Sequence, residues 1–77
     1  MPLTPEAKSL IAEARERKRL SQFELAIAAD VSLWTISDLE TGRNTSPRKR
    51  TVYAIAEALD LDPSLLLAPD TDEEVVA

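Results

Sequence analysis

Positively charged side chains are concentrated in one short segment, RNTSPRKR at residues 43–50. Its four cations are Arg43, Arg48, Lys49 and Arg50. Small polar side chains and a proline separate them, a composition that favours a loop over a helix or strand. Cations on such a loop bind phosphate oxygens in many proteins. The segment predicts a phosphate-contacting loop, and a solvated linker is the alternative that the segment by itself leaves open.

The sequence contains few residues of the types that usually carry out catalysis. The 77-residue chain contains no cysteine, no histidine and a single glycine. These absences remove disulfides, zinc fingers, thiol nucleophiles, histidine bases and glycine-rich phosphate loops. Ser37 and Asp38 are neighbours, but they do not make a nucleophile with a base. We therefore expect no enzymatic activity, no metal and no cofactor, and no small-molecule ligand because no ligand-binding domain is evident.

The net charge of −5 is unevenly distributed along the chain. Residues 1–50 carry all nine Lys and Arg with seven acids, whereas residues 51–77 carry the other seven acids and no base. This uneven charge distribution is expected when one face of a domain contacts a phosphate backbone, although ordinary solvated surface charges would also produce it. No long apolar run or signal-like segment is present, so we expect a cytoplasmic protein without a membrane partner.

The cationic loop must be positioned by the segment before it, residues 21–42. Apolar residues recur there at helical spacing in two short runs, with a polar turn between them. The runs predict helices over about residues 22–29 and 33–41. Two helices joined by so short a turn form a helix-turn-helix.

Cap signals support these helix boundaries. Ser21 and Glu24 have the spacing of a capping box, and Ser32 is a suitable N-cap for the second run. Gly42 follows the last apolar position, where a helix needs a left-handed C-cap. By the same logic Thr4, which precedes Pro5, is the predicted N-cap of an earlier helix.

Further helices flank the helix-turn-helix. The first is predicted to end near Lys18, a fourth follows the cationic loop, and a short fifth one contains Leu65, Leu66 and Leu67. The fold class is therefore all-α, a compact bundle of about five short helices in one domain, residues 1–68. The remaining residues 69–77 form an acidic tail that we expect to be disordered.

These residues resemble the Cro and phage-repressor type of helix-turn-helix, also called the xenobiotic-response-element family. The resemblance rests on LSQFELAIAADVSLWTISDLETGR and covers about residues 7–67. It implies a lambda-repressor-like DNA-binding domain. Arg19 and Asp30 stand where relatives usually have glycine, and aspartate tolerates the left-handed conformation that such a turn requires.

The resemblance also implies roles for individual residues. In the family an arginine of the first helix pairs with a glutamate near the end of the third, here Arg15 with Glu40, as a structural ion pair. The Ser-Gln pair that opens helix two contacts DNA phosphate, as does the loop after helix three. The expected phosphate contacts are Ser21, Gln22, Ser32, Thr41, Arg43, Asn44, Thr45, Arg48 and Lys49.

The outward face of the third helix departs from its relatives because it carries no cation. One interpretation is that it reads bases through apolar contacts, hydroxyls and an aspartate that accepts from cytosine. The base-reading residues would then be Leu33, Trp34, Thr35, Ser37 and Asp38. The alternative is an antitoxin-like or anti-repressor-like protein-binding module that docks through Phe23, Ile27 and Trp34. Packing inside the domain is a further explanation for Trp34.

The sequence thus predicts a sequence-specific regulator of transcription that binds double-stranded DNA. The resemblance favours a Cro-like or single-domain phage-type repressor that acts by occupying its operator in a bacterium or a phage-infected host. One domain reads few base pairs, so a palindromic operator and a weak homodimer are expected. The leucines of the fifth helix are the predicted contact between the two copies, formed in solution or only on DNA.

Overall fold

Four α-helices and one 3-10 turn build the domain in a computed structural model that describes residues 2–68. The helices are α1 (Ala7–Arg17), α2 (Gln22–Ala29), α3 (Leu33–Thr41) and α4 (Lys49–Leu59), and the 3-10 turn is Pro63–Leu65. Strand pairing in this range is limited to an isolated antiparallel bridge between Leu3 and Leu67. This is the all-α bundle that the sequence predicts. The predicted acidic tail, residues 69–77, lies outside the described residues.

The core forms where the apolar faces of the helices meet. Helix α2 packs against α3 and α4, and α1 packs against the same two helices. The buried apolar side chains are Ala7, Ile11, Ala14, Leu25, Ala26, Ala29, Ile36, Leu39, Val52, Ile55, Ala56, Leu59 and Leu66. Every helix contributes to this set at helical spacing, which is the pattern on which the prediction of helices rested. No helix within residues 2–68 is long and apolar enough to cross a membrane.

Caps define the two central helices as predicted. The Ser21 hydroxyl accepts from the Glu24 backbone N–H, and the Glu24 carboxylate accepts from the Ser21 N–H, which completes the capping box. Ser32 caps α3 by accepting from the backbone N–H of Thr35. Gly42 ends α3 with φ of 82°, the left-handed conformation that glycine adopts at least cost.

Three residues other than glycine also adopt a left-handed backbone: Arg19, Asp30 and Asp60. Asp30 ends α2 with φ of 57°, so the aspartate does support the turn at the position where relatives have glycine. Arg19 has φ of 59° in the connection between α1 and α2. A bulky side chain is unfavourable in this region, so the chain retains local strain at Arg19.

The predicted N-cap of the first helix is wrong. Helix α1 begins at Ala7, and Glu6 occupies the N-cap position without a side-chain cap. Thr4 instead contacts the other end of the chain, because its N–H donates to the Leu66 carbonyl at 2.8 Å and its hydroxyl donates to the Leu65 carbonyl at 3.3 Å. A long-range contact has replaced the local cap that the sequence suggested.

The predicted fifth helix is shorter than expected, a single 3-10 turn that ends at Leu65. Leu66 is fully buried in the core, and Leu67 forms the bridge to Leu3. Only Leu65, at 52% exposure, is a markedly exposed leucine of this turn. The apolar surface that the sequence offered for pairing two copies is therefore largely used within the domain.

Candidate nucleic-acid interface

The N-terminus of α2 is exposed to solvent, and its capping box leaves part of the first turn unbonded. The Ser21 hydroxyl oxygen accepts from the Glu24 N–H, so it does not bond to the N–H groups of Gln22 and Phe23. These two N–H groups lie in the first turn of α2, where no carbonyl of a preceding turn is available to accept from them. The Ser21 side chain is exposed. Free N–H groups at a helix N-terminus attract anions, so this end of α2 is suited to a phosphate group.

A largely buried ion pair fixes α3 relative to this N-terminus. Arg15 Nε donates to Glu40 Oε2 at 2.7 Å, and Arg15 Nη2 donates to Glu40 Oε1 at 3.1 Å. The two side chains are only 14% and 8% exposed. Arg15 Nη1 also donates to the Leu20 carbonyl at 2.8 Å, so one guanidinium joins α1, the following connection and α3. The hydrogen bond to Glu40 raises the pKa of Arg15, while its desolvation acts in the opposite direction.

Gln22 belongs to the same hydrogen-bond network, a role that the sequence did not predict for it. Its Nε2 donates to Glu40 Oε1 at 3.0 Å. The first residue of α2 is thereby tied to the last turn of α3, and the side-chain oxygen of Gln22 takes no part in that bond. The two residues are 18 positions apart in the sequence, so no local sequence pattern predicts their contact. Gln22 therefore positions the two helices in addition to its expected role at phosphate.

The outward face of α3 combines apolar and polar groups. Trp34 is 74% exposed, which rules out packing inside the domain as its role, and Leu33 is 37% exposed. Ser37 and Asp38 lie at intermediate exposure on the same face as Trp34, because positions three and four residues apart are neighbours on a helix. The exposed Phe23 and Ile27 project from α2. The structure thus leaves both sets of predicted contact residues accessible.

Some hydroxyls on α3 already have partners. The Thr41 hydroxyl donates to the Ser37 carbonyl at 2.9 Å, so it would have to rotate before it could donate to a phosphate. The hydroxyls of Ser32 and Thr35 are 3.0 Å apart, and one of them donates to the other. One of these two protons is therefore free for an external acceptor at the start of α3.

The loop between α3 and α4 has a defined backbone. The Asn44 N–H donates to the Asp38 carbonyl at 3.1 Å, and the Asn44 side-chain oxygen accepts from the Ser46 N–H at 3.0 Å. The Thr45 carbonyl accepts from Leu3 N–H at 2.8 Å, and Pro47 is buried. The amide NH2 of Asn44 is not used by these bonds. A loop anchored at three points has a defined backbone, so little backbone ordering is left for a ligand to impose.

The cations of this loop continue into the first turn of α4. Arg48 is the N-cap residue and makes no side-chain cap, Lys49 and Arg50 follow, and no acid occupies this turn. A cation at a helix N-terminus opposes the helix dipole and costs about 0.3–1 kcal/mol. The arrangement is therefore unfavourable to the isolated domain. Lys49 Nζ lies 5.8 Å from the centroid of the Tyr53 ring, which gives it a weak cation–π contact.

A fifth cation, Lys8, lies beside the loop, at a position that no pattern in the sequence predicts. Gly42 has a left-handed backbone, and a Cβ built on it would come within 3.5 Å of Lys8 Cδ and Nζ. The Lys8 side chain from α1 therefore covers the junction of α3 with the loop. The ion pairs within residues 2–68 are Arg15–Glu40 and Lys18–Asp60, so the loop cations have no such partner in the described part of the chain.

Together these elements form one continuous surface along the chain. It begins at the N-terminus of α2, follows the outward face of α3 and ends at the cationic loop and the first turn of α4. Its two ends offer cations and free N–H groups, and its middle offers apolar and hydroxyl groups with one carboxylate. Such a surface fits a ligand with phosphates at its margins and a less charged edge between them.

Comparison with known proteins identifies relatives for most of the chain. A family model described as helix-turn-helix matches residues 11–66. No curated protein matches the chain significantly. Among solved structures, the N-terminal DNA binding domain of SinR from Bacillus subtilis is 26% identical with a TM-score of 0.77. The match covers 84% of this chain and 94% of that domain.

Two further structures are similar to the chain. The P22 c2 repressor protein, solved in complex with a synthetic operator, is 28% identical with a TM-score of 0.75, over 87% of this chain and all of that one. The restriction-modification controller protein C.AhdI from Aeromonas hydrophila is 25% identical with a TM-score of 0.70, over 78% of this chain and 89% of that one. These matches confirm the resemblance inferred from the sequence.

Proposed function

Because the chain belongs to the helix-turn-helix family, we propose that it is a transcriptional regulator that binds double-stranded DNA in a sequence-specific way. Its mode of action would be operator occupancy, as in a Cro-like or single-domain phage-type repressor. The similarity to a repressor solved with its operator supports this assignment. An activity of this kind belongs in the bacterial cytoplasm or in a phage-infected host.

One observation carries the proposal: three of the four loop cations lie at the N-terminus of α4, where the helix dipole disfavours positive charge. Arg48, Lys49 and Arg50 oppose the dipole of α4, and no ion pair within residues 2–68 neutralises them. A surface used only for docking an apolar protein segment would not need such a cluster. A phosphate backbone beside α3 would make the same charges favourable.

Base recognition is assigned to the outward face of α3. Leu33 and Trp34 offer apolar contacts to thymine methyl groups, and Asp38 can accept from the exocyclic amine of cytosine. The hydroxyls of Thr35 and Ser37 can donate or accept at either base pair. Because this face carries no cation, most of the affinity would come from the phosphate contacts at its two ends.

Two copies would act together on a palindromic operator. One such domain reads few base pairs, and two related half-sites about 34 Å apart would raise the selectivity. Since Leu66 is buried and Leu67 bridges to Leu3, little apolar surface remains at the C-terminal turn for pairing in solution. We therefore propose that the pairing is weak and forms on DNA.

Selection of bound duplexes from a random pool tests the proposal directly. The wild type should enrich one sequence, and Asp38→Ala should relax the preference at one base pair per half-site by about 1–3 kcal/mol of discrimination. Glu13→Ala, which removes an exposed acid from α1, is the matched control and should keep the wild-type preference. No enrichment by the wild type would contradict the proposed function, and unchanged preference in Asp38→Ala would remove Asp38 from the readout.

A further inference from the structure

We propose that the acidic segment at residues 70–74 of this chain binds the cationic loop, residues 43–50, when DNA is absent. The segment reads Asp-Thr-Asp-Glu-Glu, with four acids and no base, whereas the loop has four cations and no acid. The segment therefore offers the loop the same negative charge as a phosphate backbone. Its consequence for DNA binding rests on the proposed function, whereas the contact itself does not.

Hydrogen bonds between the two ends of the described chain place Ala68, which precedes the segment, near the loop. The Ala68 N–H donates to the Pro2 carbonyl at 3.0 Å, and Leu67 forms the antiparallel bridge to Leu3. The Leu3 N–H donates in turn to the Thr45 carbonyl at 2.8 Å, in the middle of the loop. The last described residue is thus separated from the loop by one intervening backbone segment.

The distances are short enough for direct contact. Backbones that pair in this way lie about 5 Å apart, so two such steps place Ala68 on the order of 10 Å from Thr45. An extended chain advances about 3.3–3.6 Å per residue, so the four acids lie within about 7–22 Å of Ala68. Arginine and lysine side chains extend further towards them. The segment is therefore long enough to reach the loop without any rearrangement of the domain.

Tethering makes the segment of the same chain the favoured occupant. A short linker gives its two ends an effective concentration in the millimolar range, whereas a second copy in a dilute sample is present at micromolar concentration. Individual exposed ion pairs are weak and are screened by salt. Several weak pairs at high effective concentration produce a contact that competes with a ligand but yields to it.

The contact can be measured without DNA by comparing backbone amide chemical shifts of the full chain and a neutral-segment variant. That variant carries Asp70→Asn, Asp72→Asn, Glu73→Gln and Glu74→Gln. The matched control neutralises four exposed acids that lie in α1, in α4 or at the N-cap of α1: Glu6→Gln, Glu13→Gln, Glu16→Gln and Glu57→Gln. We expect the neutral-segment variant, but not the control, to shift the amides of residues 43–50, independently of protein concentration. Added salt should move the wild-type shifts towards those of the variant.

DNA binding supplies the second readout. The neutral-segment variant should bind duplex DNA about threefold to tenfold more tightly than the wild type at low salt, with the difference shrinking as salt rises. The control should change affinity less, because its acids are not tethered beside the loop. This comparison separates a local contact from a general effect of net charge.

The two readouts fail separately. Identical loop shifts in the wild type and the neutral-segment variant would overturn the inference, as would shifts that appear only at high protein concentration. Loop shifts as expected in a protein that binds no duplex would leave the contact intact and contradict the proposed function instead. Equal gains in affinity from the variant and the control would overturn the competition with DNA.

Discussion

Two groups of four cations lie in this domain, and their surroundings are opposite. The α1 cluster is Arg15, Arg17, Lys18 and Arg19, and the loop cluster is Arg43, Arg48, Lys49 and Arg50. The α1 cluster lies at a helix C-terminus, where the dipole favours cations, and it includes the cations of both ion pairs of residues 2–68. Three residues of the loop cluster, Arg48, Lys49 and Arg50, lie at the N-terminus of α4, and no cation of this cluster takes part in either ion pair.

The comparison separates cations that pair with acids of the fold from cations that have no ion-pair partner within residues 2–68. Arg15 pairs with the largely buried Glu40 carboxylate, and Lys18 Nζ joins the end of α1 to the end of α4 by a 2.6 Å bond to Asp60 Oδ2. No such partner accounts for Lys49 in the described part of the chain. Counting cations along the sequence does not distinguish the two clusters, whereas their partners and the local helix dipole do.

Breaking the α1 cluster at Arg15 should have the largest effect. Arg15→Ala removes the cationic partner of the largely buried Glu40 carboxylate, which keeps only its bond from Gln22, and removes the donor to the Leu20 carbonyl. We expect a loss of about 3–5 kcal/mol in the free energy of unfolding, enough to unfold so small a domain. Thermal and urea unfolding with Arg17→Ala as the control will measure it. A loss of less than about 1 kcal/mol would mean that the pair does not hold α3 in place.

A gain in stability is expected at Arg19, the residue of the α1 cluster with a left-handed backbone. Arg19→Gly relieves the strain at φ of 59° and should stabilise the domain by about 0.5–1 kcal/mol after the larger entropy of the unfolded glycine is counted. Arg17→Gly, inside α1, should have the opposite sign because glycine disfavours a helix. Equal signs for the two variants in urea unfolding would argue against strain at Arg19.

The loop cluster should respond to substitution in the reverse way. Arg48→Ser supplies the missing side-chain cap of α4 and removes a cation from its N-terminus, so it should stabilise the domain by about 0.5–1 kcal/mol. The same variant should bind DNA less tightly. Measuring both properties on one sample tests whether Arg48 is retained at the expense of stability. Loss of stability would show that Arg48 serves the fold.

The smallest effect is expected at Lys18. Its ion pair with Asp60 joins side chains that are 38% and 77% exposed, so solvent and salt weaken it. Lys18→Ala should cost at most about 0.5 kcal/mol, and the cost should vanish in high salt. A larger, salt-independent loss in thermal unfolding would give this pair a role comparable to that of Arg15.

Local rules predicted the parts of the fold that local bonds determine. The capping box at Ser21, the cap at Ser32 and the C-cap at Gly42 are bonds or backbone angles within a few residues, and each is present. Thr4 follows the same rules in sequence, but long-range bonds to Leu65 and Leu66 take its hydroxyl and its N–H. The sequence carries no mark of that competition.

The candidate site was predictable in composition but not in its contacts. The cations of the loop are visible in the sequence, and the family resemblance pointed to Arg15 and Glu40. The addition of Gln22 to that pair and the position of Lys8 beside Gly42 depend on how α1, α2 and α3 pack. Side chains that meet only through packing leave no spacing pattern in the chain.

The central claim is that the loop cluster, and not the α1 cluster, meets the phosphate backbone. Its most direct test is the salt dependence of duplex affinity for Arg48→Ala/Lys49→Ala and for Arg17→Ala/Lys18→Ala, which remove the same charge. Both are best measured with residues 70–74 neutralised, so that the acidic segment does not contribute. The slope of log affinity against log salt should fall by about 2 for the loop variant and stay unchanged for the α1 variant. Equal slopes in the two variants would contradict the account.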